Sequence, residues 1–355
     1  MSKGKILTKD IALDFVTRRG RLWELNDFTS INEDAALVLS ELSNNLCLNG
    51  LKTISERAAQ LLTSQKWDLE RDGCNPLELN GLTVISESVA EALGQNKWKG
   101  GLYLNGLRKI SDSAALSISK YQGLQLSLTG IKEISPCAAS ALAKIKDYDG
   151  EWTASLYLCG VKEISGEVAA ELGKFKGQGL DLRGLKQLSK TTASSLAKAK
   201  AELDLSGLKS ISNQVAEELG KFRGRLLNLR GLKSISDQVA EELGKFKGDL
   251  LNLGGLKQLS KTTASSLAKA KAELWLSGLK SISDEVAKAL SVHKGRYHKR
   301  VGLGLSGLKS LSDRSAEFLA VNKKSVALQG RAEEDFERAR VRMKTKRQAN
   351  KKTSR

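Results

Sequence analysis

The groups in this chain that could do chemistry are few and poorly placed for it. Its two histidines, His293 and His298, stand five residues apart in one basic stretch, HKGRYH. A zinc site takes three or four protein ligands, and neither a cysteine nor a carboxylate adjoins this pair. The four cysteines, Cys47, Cys74, Cys137 and Cys159, show no CxxC spacing. Isolated thiols of this kind belong to a reducing compartment and not to a disulfide framework. There is no phosphate-cradling P-loop and no nucleophile elbow, and no GxGxxG turn follows a strand pattern. These residues predict a protein that is not an enzyme and needs no cofactor or metal.

What does recur is charge and aromatic surface. A cation follows each Gly-Leu step: Lys186, Lys209, Lys233, Lys257 and Lys280 come at intervals of 23 or 24 residues. Lys52, Arg108, Lys132, Lys162 and Lys309 hold the same place, and Thr83 interrupts the row. Stacked cations attract a polyanion. Duplication alone also propagates a solvated lysine, and acids such as Asp237 and Asp284 lie close in sequence. A second row sits inside short Leu-x-Leu segments, whose central residues include Tyr103, Tyr157, Asp181, Asp204, Asn228, Asn252 and Trp275. Arg183 and Arg230 follow the second leucine of their segments. Polar groups interleaved with Tyr and Trp have the composition of a protein-recognition surface. A third concentration is the tail from Arg338 to Arg355, with nine Lys and Arg and no acid, among them Arg338, Arg340, Arg342, Lys344, Lys346 and Arg347. It holds half of the formal net charge of +18 and is either a nucleic-acid-binding segment or a solubility tail.

One repeated unit must position these rows, and its clearest copy is Leu227 to Gly248, LNLRGLKSISDQVAEELGKFKG. Leu227 and Leu229, two apart, share one face of a short strand. Gly231 then marks a corner that needs either positive φ or close backbone approach. Ser236 caps a helix, with Asp237 at the positive end of its dipole. Such a strand, corner and helix is too small to bury its own apolar face and must stack on copies of itself.

The register can be tested along the whole chain. Thirteen helix starts, from Thr8 and Asn32 through Ser236 to Ser312, carry a good N-cap residue. Four residues later each has Ala, and seven later a large apolar side chain. Thirteen strand segments follow, beginning at Trp23 to Leu25 and ending at Val326 to Leu328. Three longer linkers, Gln65 to Pro76, Asp147 to Ser155 and Ser291 to Gly302, carry Trp67, Tyr148, Trp152, His293, Tyr297 and His298. They either form a binding face or fold their aromatics back over the edge of the array. Lys186 to Leu203 recurs unchanged as Lys257 to Leu274, and Asp204 of the first copy becomes Trp275 of the second. A position that accepts both faces solvent.

The domain reading is a capping half-repeat over 1–21, a solenoid over 22–330, and a disordered or marginally helical basic tail over 331–355. No stretch of 18 apolar residues occurs, and the start lacks the run of a signal peptide, so a cytoplasmic monomer that does not enter a membrane is expected.

With the unit laid out, the chain resembles leucine-rich repeats, specifically bacterial arrays of 23 to 24 residues reading LxLxGLxxISxxxAxxL, from about Thr8 to Gly330. The resemblance implies an α/β fold, a curved βα solenoid with one short parallel strand and one helix per repeat, and a role in holding another protein. Binding of nucleic acid through the lysine row and tail is the alternative. The usual pattern places Asn or Cys a few residues after the Leu-x-Leu step, where this unit has Gly231 and Leu232. No asparagine ladder is therefore expected at the corner.

Overall fold

The computed structural model describes residues 4–42, 45–64, 76–95, 100–145, 154–295, 302–321 and 326–353. Within these the chain divides into two compact units, Met1–Leu185 with Ala199–Ala201, and Lys186–Lys198 with Glu202–Arg355.

Each unit repeats one rung. In the first, the strands Leu46–Cys47, Leu77–Glu78, Gly101–Tyr103, Gln125–Ser127, Ser155–Tyr157 and Gly179–Asp181 pair in parallel, each with the next. In the second, Glu202–Asp204, Leu226–Asn228, Leu250–Asn252, Glu273–Trp275, Leu303–Gly304 and Val326–Ala327 do the same. A helix follows each strand from Leu46–Cys47 onward. The register aligns leucine on leucine, as in Leu203, Leu227, Leu251 and Leu274, all fully buried. This α/β arrangement of one short parallel strand and one helix per rung is the expected βα solenoid.

The helices start where the capping residues stand. Twelve of the thirteen N-cap side chains, Asn32 through Ser312, accept from the backbone N–H three residues on; Thr8 does not. The alanine four residues later is buried in every helix, from Ala12 at 0% exposure to Ala316 at 1%, because a methyl group is all that fits between helix and strands. Deep burial of the large residue at the seventh position, such as Leu243 and Leu319, completes an aliphatic core.

The corner glycine answers a steric demand. At Gly231 an added Cβ would lie 2.2 Å from the carbonyl oxygens of both Leu208 and Ser206 on the preceding rung. Among the described residues only Gly330 is a glycine with positive φ, so close backbone approach is what excludes a side chain at the corner.

Two ends depart from the repeat. Trp23 to Leu25, expected as a strand, lies in the 3-10 turn Leu22–Asp27, where Glu24 accepts from the Arg21 N–H at 3.0 Å and pairs with Arg18 at 2.6 Å. These local bonds outcompete a strand that no Gly-Leu corner follows. A separate parallel pair, Ile6–Leu7 with Ser30–Ile31, forms beside it. At the other end the tail is a helix, Arg331–Thr353, which packs on the helix Asp313–Val321 and buries Ala332, Phe336 and Ala339. Asp335 accepts from the Leu311 N–H at 2.9 Å, so the helix also ties down the last corner.

Candidate functional site

The polar side chains at the strands divide by what they bond. In the first unit the residue after the second leucine is asparagine in successive rungs, and each side-chain oxygen accepts the backbone N–H of its counterpart one rung on. Asn26 takes Asn49 at 2.8 Å, Asn49 takes Asn80 at 3.1 Å, Asn80 takes Asn105 at 2.9 Å, and Asn105 takes Thr129 at 3.1 Å. This asparagine ladder overturns the expectation of none. That expectation came from a second-unit repeat, where the position is Arg230.

From Asp181 onward the same N–H is satisfied within its own rung by the central strand residue. Asp181 takes Arg183 at 3.0 Å, Asp204 takes Ser206 at 2.8 Å, Asn228 takes Arg230 at 3.2 Å, and Asn252 takes Gly254 at 2.9 Å. These are Asx turns, a local device. Asp181 is 4% exposed and also holds the Arg183 guanidinium at 2.8 Å. Asn228 donates to Asp204 at 3.0 Å. The four Asp and Asn residues expected to meet a partner therefore carry backbone bonds as well.

Trp275 does not fit this scheme. An indole has a donor and no acceptor, so it cannot close an Asx turn. Trp275 is 39% exposed, its Nε1 donates to Glu273 at 2.7 Å, and its ring leans over Gly304, where an added Cβ would sit 3.0 Å from Cδ1. Two rungs away Arg230 is exposed, its stem passing Gly254, where a Cβ would approach Arg230 Cγ at 3.9 Å and the Ser277 hydroxyl at 2.6 Å. Trp275 and Arg230 thus stand beside a floor kept low by Gly254 and the buried Asn252. In the first unit Tyr103 is half-buried and donates to Gln125 at 2.6 Å, and Tyr157 is half-buried opposite Asp181 in the register.

The lysine row is exposed at Lys186, Lys209, Lys233, Lys257 and Lys280. Backbone bonds tie its rungs together, Lys257 N–H to Lys233 O at 3.2 Å and Lys309 N–H to Lys280 O at 3.1 Å. The acids near it in sequence are engaged elsewhere. Asp237 accepts from Ser260 at 3.1 Å and Thr263 at 2.6 Å on the next rung, and Asp284 accepts from Ser312 and Ser315. Those hydroxyl bonds hold the Asp284 carboxyl below the usual aspartate range. Sequence reasoning missed this second ladder; its signal is an acid directly after one N-cap with a hydroxyl at the next. In the tail helix Arg338 pairs with Asp335, Arg340 with Glu337, Arg342 with Asp313 and Lys346 with Glu317, and Lys344 is exposed. The side chain of Arg347 lies outside the described residues, as do Trp67, Cys74, Tyr148, Trp152, Tyr297 and His298.

His293 is 2% exposed, with ring nitrogens 3.1 Å from the Ala268 carbonyl and 2.9 Å from that of Gly302. It fills the place that Phe222 and Phe246 fill in other rungs. Burial, with Glu78 next to it, pushes the Cys47 thiol up to about 11, and burial with Asp181 pushes Cys159 up to about 12. Neither is a nucleophile near neutral pH. Among the described residues no three His, Cys, Asp or Glu side chains gather to hold a metal, and no helix is long and apolar enough to cross a membrane.

The in-register leucines, the asparagine bonds from rung to rung and one helix per strand decide the architecture. The chain has the leucine-rich-repeat fold. No protein-family model matches it, and no curated protein matches it. Solved leucine-rich-repeat structures do. An internalin, inlF, from Listeria monocytogenes is 13% identical over 84% of this chain and 84% of that one, with a TM-score of 0.43. The TLR13–ssRNA13 complex is 16% identical over 80% of this chain and 45% of that one, with a TM-score of 0.47. The Toll–Spatzle complex of Drosophila is 14% identical over 72% of this chain and 36% of that one, with a TM-score of 0.46. The chain spans about a third of the chain it matches in that complex. Likeness at this level carries nothing about partners, and the leucine-rich-repeat architecture rests on the chain's own register.

Proposed function

We propose that the chain is a non-enzymatic scaffold that binds another protein on the strand face of its second unit, around Arg230 and Trp275. The observation that supports this is Trp275 itself. It replaces an Asx-turn acceptor with a large, 39% exposed aromatic in a frame otherwise identical to that of Asp204, giving up the local backbone bond that Asp204 makes. A residue that breaks the local rule is a mark of function. Exposed Trp and Arg beside a low floor are the side chains that dominate protein interfaces. Asp204, Asn228 and Asn252 shape that floor, while Tyr103, Tyr157, Asp181 and Arg183 form the corresponding face of the first unit. The unpaired thiols Cys47, Cys137 and Cys159 support a reducing, cytoplasmic setting.

The test is quantitative affinity purification with the wild type and with Trp275→Ala plus Arg230→Ala as baits. At least one protein retained by the wild type should fall about tenfold or more with the double variant, a loss of roughly 1.4 kcal/mol or greater, at an unchanged melting temperature. An identical set of retained proteins would remove the proposal.

A further inference from the structure

The second unit carries six exposed lysines at the same place in consecutive rungs: Lys186, Lys209, Lys233, Lys257, Lys280 and Lys309. Backbone bonds such as Lys257 N–H to Lys233 O fix their spacing at that of neighbouring strands, about 4.8 Å, so the row runs roughly 24 Å. Like charges so close repel one another, and solvated surfaces normally relieve this by interleaving acids. Here the acids are withdrawn: Asp237 and Asp284 bind the hydroxyls of the next helix cap, and among the described residues none of the six lysines has an ion pair. The same unit pairs other lysines readily, Lys221 with Glu218 at 3.0 Å and Lys245 with Glu242 at 2.7 Å. The tail, which holds more cations for its length, pairs four of them, Arg338, Arg340, Arg342 and Lys346, with acids of its own helix and of the helix Asp313–Val321.

We propose that this row is a docking strip for the phosphodiester backbone of a nucleic acid, read by charge and not by base. Six identical cations in a line suit a polymer whose charge repeats uniformly; a folded protein partner presents an uneven pattern and would be met by varied side chains. Exposed Ser234, Gln258 and Ser281, each directly after a lysine of the row, add hydrogen-bond donors for phosphate oxygens. No aromatic residue stands in the row to stack a base, so binding is independent of sequence. The lysines of the row are not among the residues of the Arg230 and Trp275 face, and the outcome does not depend on that proposal.

The measurement is fluorescence anisotropy of a labelled 24-nucleotide thymidine strand and a duplex of equal length, from about 50 to 200 mM salt, the range over which phosphate contacts are strongly screened. Wild-type binding should weaken steeply with salt. The variant Lys209→Gln, Lys233→Gln, Lys257→Gln, Lys280→Gln should bind the single strand at least tenfold more weakly, with a logarithmic salt slope shallower by roughly 3, at about 0.7 per lost phosphate contact. The corresponding Lys→Arg variant should bind like the wild type, which separates lost charge from lost fold. Tail variants Lys344→Gln and Lys346→Gln should change affinity less than twofold. The proposal is overturned if the Lys→Gln variant binds as tightly as the wild type, if the tail variants alone abolish binding, or if polyglutamate of equal charge displaces the strand at lower concentration than unlabelled thymidine strand does.

Discussion

From Asn26 to Thr129 the first unit satisfies the backbone after the second leucine from one rung to the next, through Asn26, Asn49, Asn80 and Asn105. The stretch from Asp181 to Gly254 satisfies it inside each rung, through Asp181, Asp204, Asn228 and Asn252. The two solutions use different positions. Where the asparagine ladder runs, the residue after the strand is scaffold and the central residue varies, as Glu78, Tyr103 and Ser127 do. Where the Asx turns run, the central residue is scaffold and the one after the second leucine varies through Arg183, Ser206, Arg230 and Gly254. A fixed position in one region is a free one in the other, and free positions are where recognition can be written. Trp275 is informative because it is free variation at a position that its own region reserves for scaffold.

The largest effect should come from what both regions share. Gly81→Ala in the ladder and Gly231→Ala among the Asx turns each drive a Cβ to within 2.4 Å of carbonyl oxygens on the previous rung. Each should cost about 3 kcal/mol in urea unfolding, the upper end for overpacking. Equal losses would show that the corner is common to both regions; a loss at one alone would break the comparison there. Smaller is Trp275→Asp, which restores the Asx acceptor found at Asp204. Its unfolding free energy should stay within about 1 kcal/mol of wild type, the net worth of one hydrogen bond against the lost indole packing, while partner retention falls.

The repeat was legible because its signals are local. Ser at the cap, Ala four on and Leu seven on each act within one helix, and thirteen repetitions outvote any accident. The asparagine ladder was not legible from one repeat, since its bonds join residues 23 to 31 apart and the repeat Leu227 to Gly248 lies in the region that lacks it. The tail was legible as basic but not as helical cap: Ala332, Phe336 and Ala339 give only a thin apolar stripe, and what fixes the helix is the long-range bond from Leu311 to Asp335. At the strand face, Asp204 and Trp275 were legible as a changing position, whereas the backbone duty of Asp204 required the turn geometry.

Smaller still is the acid response of the second unit's end. The Leu311 N–H, then Arg338, hold the Asp335 carboxyl below its ordinary 3.8. A depressed carboxylate contributes stability that is complete above the unfolded value and is lost as pH falls through the folded one. Helix Arg331–Thr353 should therefore stay docked at neutral pH and loosen only as pH drops below about 3.8, followed by hydrogen exchange at Leu311. Asp335→Asn should flatten that dependence. The smallest effect concerns the thiols. Among the described thiols, exposed Cys137 should be alkylated before Cys47 and Cys159, which should react only as pH rises toward about 11 and about 12.

The exchange of duty between the two positions is tested most directly by swapping them. Asn80→Arg places in the ladder what the second unit has at the same position, and Arg230→Asn does the reverse. Equilibrium unfolding should show Asn80→Arg losing about 1–3 kcal/mol, because the Asn105 N–H loses its acceptor, and Arg230→Asn changing by less than about 0.5 kcal/mol. Equal losses from the two substitutions, or a larger loss from Arg230→Asn, would contradict the account.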